Sequence, residues 1–393
     1  MTVQLIDIFY TNVFKRYSVK YNIFRELYEK DLLALEIRNV KLSLAQKVKK
    51  IILSNKEICY TADTFNNDYV DLLAIGSISI FKELAKEILA IGNEDLGFKI
   101  TRTIKNFTEY ENQIIEVGGK TFPAKCSLVM GIVNVTPDSF SDGGKYFDKN
   151  KALAYSLQLL EDGADIIDIG GESTRPGSEP ISAEEELKRV IPVIESVISK
   201  KPDAIISIDT NKSIVAEEAC KCGAKIINDT SSFSFDEKIL SVVQKYKAAL
   251  ILMHMKGTPK NMQENPYYDE VVSEIYDYLV DKVNIAVKEG IKNIFIDPGI
   301  GFGKRIFDNY EIIKRLNEFK GIGFPIVIGL SRKSFIGKAF NLEVDKREEP
   351  TFAAETIAIK NGAKIIRTHN VKNAKVASKM NYFIENPEQL QNV

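Results

Sequence analysis

Apolar and polar positions follow two different rhythms along this chain of 393 residues. In residues 1–110, apolar side chains recur at the spacing of amphipathic helices. The two clearest stripes are Leu44, Ala45, Val48, Ile51 and Ile52, and Phe81, Leu84, Ala85, Ile88 and Leu89. The alternation of serine and isoleucine over residues 77–80 predicts a short half-buried strand. Residues 1–110 are therefore expected to form a small additional α+β domain, whose function the sequence leaves unknown.

From residue 111 onward the pattern changes to short apolar runs that alternate with helical segments. Residues 114–122 predict a hairpin that turns at Gly118 and Gly119. Helical spacing fills the gaps between the runs, for example over residues 183–199 and 268–289. The apolar runs are residues 128–135, 164–169, 204–208, 224–227, 248–253, 293–296, 325–330 and 363–366. Nearly continuous apolar runs of this length are typical of parallel strands covered on both faces, and eight of them predict an α/β fold, a (β/α)8 TIM barrel over residues 111–393.

Polar residues follow every one of the eight predicted strands. They are Asn134, residues 172–175, Asp209, Asn228 with Asp229, His254, Asp297, residues 331–333, and Arg367 with His369. An open doubly wound sheet, the competing fold, concentrates such residues at one switch point. Polar residues after all eight strands instead favour a barrel with its active site at the carboxyl ends of the strands.

Charge and composition exclude some classes of binding partner and indicate where in the cell the chain is expected. The chain carries 53 basic and 54 acidic residues, a formal net charge of -1, which argues against general binding to nucleic acid or to a membrane surface. No apolar run approaches the roughly 18 residues of a membrane span, and the amino terminus lacks the features of a secretory signal. Four cysteines are too sparse for a disulfide scaffold, and Cys220 with Cys222 lacks the second pair of a zinc site. We expect reduced thiols and a cytoplasmic location.

Two aspartates and an asparagine are the first candidates for binding a ligand. Asp209 and Asp297 each close an apolar strand, and a buried carboxylate needs hydrogen-bond donors. A heterocycle rich in N–H groups, such as an amino-substituted pterin or a guanine-like ring, would supply these donors. Asn228 can both donate and accept. The alternative is that the aspartates cap helices or pair with Arg or Lys at the barrel rim.

Basic residues follow the last two strands. Loops in this position often bind phosphate in TIM barrels, and Lys333, Arg367 and His369 lie there. The alternative for His369 is a surface histidine at a helix start. For His254 we expect a structural role, with Met253 as an apolar wall for a flat ring.

Three glycine-rich segments lie among these residues. The segment 299–304 ends in lysine but fits neither the P-loop nor the dinucleotide pattern, so its glycines are interpreted as permitting tight turns beside a ligand. Residues 136–144 and 170–177 are rich in small and polar side chains and are interpreted as mobile loops that close over a substrate.

Taken in order, these segments resemble the dihydropteroate synthases. The matching stretches are MGIVNVTPDSFSDGG, IDIGGESTRPGS, SIDT, IND, LMHMKGTPKNMQ, IDPGIGFGK, GLSRKSFIG and RTH, within residues 111 to 385. Enzymes of this family join 6-hydroxymethyl-7,8-dihydropterin diphosphate to p-aminobenzoate and release diphosphate. The resemblance implies a homodimer, and sulfonamides as competitors of p-aminobenzoate.

The resemblance also implies a role for each site residue. Asp209, Asn228, Asp297 and Lys333 would surround the pterin, with Met253 packed on it. Asn134, Arg367 and His369 would hold the diphosphate, with Asn134 also a Mg²⁺ ligand. The p-aminobenzoate site would be formed by Phe140, Thr174, Arg175, Pro176 and Ser334. Asp209, Lys333, Arg367 and His369 are the catalytic candidates.

Two departures from the family and two rival functions remain. Residues 227–240 lack the glycines and alanines often found after the fourth strand, and residues 1–110 have no counterpart in the minimal enzyme. One rival is a pterin-binding methyltransferase that uses methyltetrahydrofolate, which would share the pterin residues but does not need the two loops or the RTH segment. The other is a barrel without activity that serves as a scaffold, which the complete set of polar strand ends opposes.

Overall fold

The computed structural model describes residues 1–8, 10–21, 32–54, 60–66, 68–124, 126–136, 149–173 and 177–390. The chain divides into two compact units. One comprises Met1–Glu111 with Asn317–Gly323, and the other comprises Asn112–Leu316 with Phe324–Val393. The sequence placed the boundary between residues 110 and 111. It gave no indication that a short segment of the second half would belong to the first unit.

The first unit is built on a four-stranded antiparallel sheet in the order β1-β2-β4-β3. Its strands are β1 (Thr2–Ile6), β2 (Leu33–Lys41), β3 (Tyr60–Asn66) and β4 (Tyr69–Gly76). Its helices are α1 (Thr11–Tyr21), α2 (Leu42–Ser54), α3 (Ile78–Ala90) and α4 (Glu94–Glu109). The predicted stripes bury Ala45, Val48 and Ile52 on α2, and Phe81 and Ile88 on α3. The additional α+β domain is thus confirmed.

The predicted strand at residues 77–80 is wrong. Ser77 has extended backbone angles and caps α3 by accepting a hydrogen bond from the Ile80 backbone N–H at 3.4 Å. Four alternating residues fit the period of a strand and that of a helix equally well. Here the apolar stripe continues to Leu84, as a helix requires.

A buried polar cluster lies on the α1 face of this sheet. Glu36 accepts hydrogen bonds from Tyr21 Oη at 2.7 Å and Lys20 Nζ at 2.8 Å, and it pairs with Arg38. Burial would raise the pKa of Glu36, but Arg38 and Lys20 lower it to about 2. Gln4 extends the cluster to Glu318 through a hydrogen bond of 3.0 Å, which ties the segment 317–323 into the first unit.

The second unit opens with the predicted hairpin, β5 (Ile115–Val117) and β6 (Lys120–Phe122), and continues into a closed barrel of eight parallel strands. The barrel strands are β7 (Leu128–Asn134), β8 (Ile166–Gly170), β9 (Ile205–Asp209), β10 (Ile226–Asp229), β11 (Ala249–Met253), β12 (Ile294–Asp297), β13 (Ile326–Gly329) and β14 (Ala363–Thr368). Each lies within the predicted run or passes its end by one or two residues, so the (β/α)8 barrel is confirmed.

Helices follow the strands around the barrel. They are α5 (Lys149–Glu161), α6 (Ala183–Lys200), α7 (Ser213–Lys221), α8 (Ile239–Tyr246), α9 (Val271–Lys288), α10 (Ile306–Lys314), α11 (Ser334–Phe340), α12 (Glu348–Lys360) and α13 (Val371–Glu385). The helix predicted from residue 268 begins at Val271, because Glu270 acts as its N-cap and accepts from the Ser273 backbone N–H at 3.0 Å. Among the described residues, no helix combines the length and apolar character needed to cross a membrane.

Candidate active site

Alternation along the barrel strands brings the candidate residues to one mouth. The amino-terminal half of the barrel interior is an apolar cluster to which all eight strands contribute through residues such as Ile166, Ile205, Ile226, Phe295 and Ile365. Side chains at every second position of a strand share a face, so the next inward positions lie above this cluster, toward the carboxyl ends. Those positions are occupied by Asn134, Asp168, Ser207, Asp209, Asn228, Met253, Asp297 and Arg367.

Arg367 is bound by two carboxylates on neighbouring strands. Its Nε donates to Asp168 Oδ2 at 2.6 Å, and one terminal nitrogen, Nη2, donates to Asp209 Oδ2 at 2.6 Å. Burial opposes the guanidinium charge, but the two aspartates raise the pKa of Arg367 above its usual range. Asp209 therefore pairs with an arginine at the barrel rim, which is the alternative that the sequence had left open for this aspartate.

Asp209 retains an unusual protonation equilibrium despite this partner. Burial raises the pKa of Asp209 to about 7; Arg367 lowers it, whereas the negative charges of Asp168 and Glu186 raise it further. A carboxyl with this pKa exchanges its proton near neutral pH. It can therefore respond to a ligand that donates hydrogen bonds.

Asn228 faces the same mouth as Asp209, whereas Asp229 does not. Asn228 donates from Nδ2 to Asp168 Oδ2 at 3.2 Å. Asp229 instead accepts from the backbone and hydroxyl of Ser231 at 2.8 and 2.7 Å, and from the Phe233 backbone. These bonds hold Ser232 and Phe233 at φ of 50° and 52°, a region that favours glycine. The fourth loop thus makes its turn without the family's glycines.

Asp297 and Lys333 form the opposite side of the mouth. Asp297 is buried and accepts from the Gly299 backbone N–H at 2.7 Å. Burial raises the pKa of Asp297, and Lys333 opposes this. Lys333 donates to the Ile300 carbonyl, and its Nζ lies 4.7 Å from the centre of the Phe302 ring. Burial lowers the pKa of Lys333 to about 8, and Asp297 limits the decrease.

His369 and Ser331 connect the ends of the last two strands. The Oγ of Ser331 lies 2.9 Å from His369 Nδ1 and accepts from the His369 backbone N–H at 3.2 Å. His369 follows β14 directly, two residues after Arg367. This arrangement agrees with a binding role better than with a free surface histidine.

His254 has the structural environment expected for it. Its side chain is buried, its Nδ1 lies 3.0 Å from Lys304 Nζ, and its ring meets the Tyr278 ring edge-on at 4.9 Å. Burial, together with the nearby charges of Lys304 and Lys256, lowers the pKa of His254 well below its usual value. The histidine is therefore neutral at pH 7.

The glycine-rich segment after β12 turns tightly against the loop that follows β11. Gly299, Gly301 and Gly303 have φ of 70°, 84° and 64°, a region that favours glycine. A Cβ at Gly299 would lie 1.9 Å from the His254 carbonyl oxygen. Lys304, which ends the segment, donates to the Phe302 carbonyl at 3.1 Å and is buried. These positions agree with the interpretation of the glycines as turn residues.

The remaining predicted residues are less fully placed. Met253 is buried at the end of β11, and Asn134 ends β7 beside Gly170 of β8. Ser334 is exposed at the start of α11 and lines a cavity of about 500 Å³ with Gly301 and Lys338. The predicted residues outside the described ranges are Phe140, Thr174, Arg175 and Pro176.

Sequence reasoning missed Asp168, Phe302 and Lys304 as parts of the site, and it named Ser331 only among the polar residues at strand ends. Asp168 had a recognisable signal, since it is a lone acid within the apolar run IIDIG, one inward position before Gly170. The contacts of Ser331 and Phe302 had none, because they join residues that are distant in the sequence. Lys304 was noted only as the last residue of the glycine-rich segment.

Comparison with known proteins identifies the family. Residues 130–369 match the family of pterin binding enzymes. The chain is 47% identical over 256 residues to the dihydropteroate synthase of Bacillus subtilis, covering 65% of this chain and 87% of the relative. It is 45% identical over 246 residues to the Escherichia coli enzyme, covering 62% of this chain and 86% of the relative.

Solved structures show the same similarity. A dihydropteroate synthase of Yersinia pestis, in complex with a sulfonamide drug, has a TM-score of 0.66 and 39% identity, covering 70% of this chain and 99% of that one. The Xanthomonas albilineans enzyme in complex with 7,8-dihydropteroate has a TM-score of 0.62 and 36% identity, covering 70% and 99%. The same enzyme with 4-aminobenzoic acid has a TM-score of 0.65 and 38% identity, covering 70% and 98%. The predicted family is thus confirmed: the chain belongs to the pterin-binding enzymes, among the dihydropteroate synthases.

Proposed function

We propose that this chain joins 6-hydroxymethyl-7,8-dihydropterin diphosphate to p-aminobenzoate, forming 7,8-dihydropteroate and diphosphate in folate biosynthesis. The observation that carries this proposal is the arrangement around Arg367. One cation lies between the carboxylates of Asp168 and Asp209, at the mouth that also holds Asn228 and Asp297. Such a mouth offers acceptors for a heterocycle and a cation for its leaving group.

The pterin is bound by the inward residues of the barrel. Asp209, Asn228 and Asp297 offer the acceptors and the amide that match the N–H groups of an amino-substituted pterin ring. Met253 provides an apolar surface for the face of this ring. Lys333 adds a donor from the side of Asp297. These groups come from four strands and one loop, so the ring is held in one orientation.

Arg367 and His369 bind the diphosphate. Arg367 is the penultimate residue of β14 and His369 directly follows the strand, at the position where TIM barrels commonly bind phosphate. The guanidinium fork fits phosphate oxygens, and the imidazole adds a further donor.

Asn134 is proposed as the protein ligand of Mg²⁺. Its amide oxygen is a hard donor at the same mouth, and Mg²⁺ in phosphate sites is commonly held by one or two protein ligands plus phosphate oxygens and water. No cluster of three or more His, Cys, Asp or Glu able to hold a metal occurs in the part of the chain that the structure describes, so the donor set fits this mode of binding. When bound, Mg²⁺ supplies positive charge to the departing diphosphate.

The p-aminobenzoate site is proposed to include Ser334, which is exposed directly after Lys333. Phe140, Thr174, Arg175 and Pro176 complete it in this proposal. Because sulfonamides resemble p-aminobenzoate, the same site makes the enzyme a sulfonamide target.

The chemistry requires stabilisation of two opposite charges rather than a strong base. As the C–O bond to the diphosphate lengthens, positive charge spreads into the pterin and negative charge grows on the leaving group. The ionised Asp209 stabilises the first, and Arg367, Lys333 and His369 stabilise the second. The aryl amine is neutral at pH 7, and its nitrogen forms the new C–N bond as the C–O bond breaks. The proton that the nitrogen then loses passes to the departing diphosphate or to water, so we assign no general base.

Oligomeric state and location complete the proposal. On α13, Val376, Met380 and Ile384 form a stripe at i, i+4 and i+8 whose residues are 53%, 54% and 66% exposed. Contiguous exposed apolar surface of this kind favours a protein interface, and a second copy of the chain is the proposed occupant. The free thiols of Cys126 and Cys220 agree with the proposed cytoplasmic location.

Calorimetric titration distinguishes this function from the methyltransferase. We expect the chain to bind pterin diphosphate with Mg²⁺ more tightly than methyltetrahydrofolate. Arg367→Gln should weaken pterin diphosphate binding by about 10- to 100-fold, the value of a charged hydrogen bond. Arg102→Gln, the same change at an exposed arginine of α4, is the matched control and should leave binding unchanged. Preference for methyltetrahydrofolate, together with indifference to Arg367→Gln, would favour the methyltransferase.

A further inference from the structure

Asp168 lies inside the barrel, one inward position below the carboxyl end of β8. Its side chain is fully buried and faces the same interior as Ser207, its register partner on β9. Asp168 Oδ2 accepts from both Arg367 and Asn228, at 2.6 and 3.2 Å. The other oxygen, Oδ1, forms no hydrogen bond with the part of the chain that the structure describes. A buried carboxylate is costly, so its position beneath two ligand-binding residues needs a reason.

The three nitrogens of Arg367 differ in their partners. Nε is bound by Asp168, and Nη2 is bound by Asp209. Within the described ranges, Nη1 makes no hydrogen bond. Asp168 is fully buried, whereas the Asp209 side chain is 10% exposed at the mouth. A ligand entering the mouth therefore reaches Asp209 and the terminal nitrogens but cannot reach the bond between Asp168 and Nε.

We propose that Asp168 is a positioning residue: it anchors Arg367 through Nε, so that the guanidinium stays directed at the diphosphate when the pterin replaces Arg367 at Asp209. This inference rests on the proposed function, in which Asp209 binds the pterin and Arg367 the diphosphate. Asp209 is the exchangeable partner of Arg367, and Asp168 is the permanent one.

The bond from Asp168 keeps Arg367 in position when the pterin binds. A pterin N–H group that binds Asp209 competes with Arg367 for the same carboxylate. Without a second anchor, the long arginine side chain would regain rotamer freedom when the leaving group must be held. A small displacement of a charged donor from its productive position can cost about 100-fold in rate. The bond from Asp168 keeps the guanidinium in place.

The test is a double-mutant cycle between Asp168→Asn and Arg367→Gln. It uses the full chain with Mg²⁺ and measures diphosphate release from the paired substrates and calorimetric binding of inorganic diphosphate. Asp168→Asn alone should lower kcat/KM for pterin diphosphate, and the affinity for inorganic diphosphate, by about 10- to 100-fold. The KM for p-aminobenzoate should stay unchanged. In the Arg367→Gln background, Asp168→Asn should change the affinity for inorganic diphosphate by no more than about twofold, because the anchored group is absent. This affinity is the quantity on which the cycle is decided, because Asp168 also binds Asn228, which contacts the pterin in the proposed function.

Asp165→Asn is the matched control. Asp165 precedes β8, at the end of the strand away from the mouth, and pairs with Lys375 at 2.8 Å, so the same substitution breaks an ion pair outside the site and both quantities should match those of the wild type. If Asp168→Asn does not fold, Arg367→Lys provides the second test. Lysine keeps the charge but lacks the Nε–H group that Asp168 binds, so the same loss is expected.

Two results would overturn the inference: activity and diphosphate binding of Asp168→Asn or Arg367→Lys close to wild type, or effects of Asp168→Asn that are fully additive with those of Arg367→Gln. Additive effects would mean that Asp168 acts elsewhere, for example through general stability. Failure of the proposed function looks different, because the wild type itself would then release no diphosphate. The binding measurement would still report on the anchor.

Discussion

Asp209 and Lys333 both titrate close to neutral pH for the same physical reason. Burial disfavours the charged form of both, so the pKa of Asp209 rises to about 7 and that of Lys333 falls to about 8. Arg367 limits the first change and Asp297 the second. Both groups are charged together only in a narrow range of pH, and the proposed mechanism needs both charges.

Binding of pterin diphosphate should therefore depend on pH in a bell shape. As pH rises through about 7, Asp209 loses its proton and can accept the pterin N–H groups, so affinity rises. Above about 8, Lys333 loses its charge and affinity falls. Calorimetric titration between about pH 6 and about pH 9, a range that includes both pKa values, measures both limbs of the profile.

Asp209→Asn isolates the acidic limb of this profile. The variant should bind about 10- to 100-fold more weakly at the optimum, turn over correspondingly slowly, and lose the rise through neutral pH. Unchanged turnover, or an acidic limb that persists in the variant, would show that another group carries the titration.

At the scale of single elements, the segment after β12 depends on glycine for two distinct reasons. Gly299 has a positive φ, and a Cβ there would lie 1.9 Å from the His254 carbonyl oxygen. Gly290, after α9, has a φ of 81°, but a Cβ there would have no other atom within 4 Å. The two positions therefore separate backbone strain from steric collision.

Gly299→Ala should be much more damaging than Gly290→Ala. The alanine at position 290 adds only left-handed strain, about 1–2 kcal/mol of unfolding free energy, and should leave kcat unchanged. At position 299 the backbone must move, which displaces the Asp297 hydrogen bond and the loop that carries Phe302, so stability and kcat should both fall further. Thermal denaturation and initial rates measure the difference. Equal effects of the two substitutions would mean that the close approach to His254 is unimportant.

Elements were predictable from the sequence where their signals are local. The apolar runs, the helical spacing between them and the polar strand ends predicted the barrel and brought Asp209, Asn228, Asp297 and Arg367 to one mouth. Residues 77–80 failed because four residues cannot separate a strand from a capped helix start. The partner of Arg367 was also not predictable, because Asp168 lies 199 residues away and the bond exists only after the barrel closes.

The whole molecule combines a family barrel with a unit that lies mostly outside the family match. The match covers residues 130–369, whereas the first unit comprises residues 1–111, outside the match, and the short segment 317–323, inside it. Its α+β architecture followed from helical periodicity, but no polar cluster in the sequence indicated a function. The assignment of the segment 317–323 to this unit depends on contacts such as that between Gln4 and Glu318, which sequence reading cannot anticipate.

In the proposed function, residues distant in the sequence meet at one mouth to transfer a pterin-methyl group from diphosphate to an aryl amine. A coupled assay of diphosphate release, run with pterin diphosphate and Mg²⁺ in the presence and absence of p-aminobenzoate, measures this transfer. Release should require p-aminobenzoate and should equal the dihydropteroate formed. Release that is indifferent to p-aminobenzoate, or no release from the paired substrates, would contradict the proposed function.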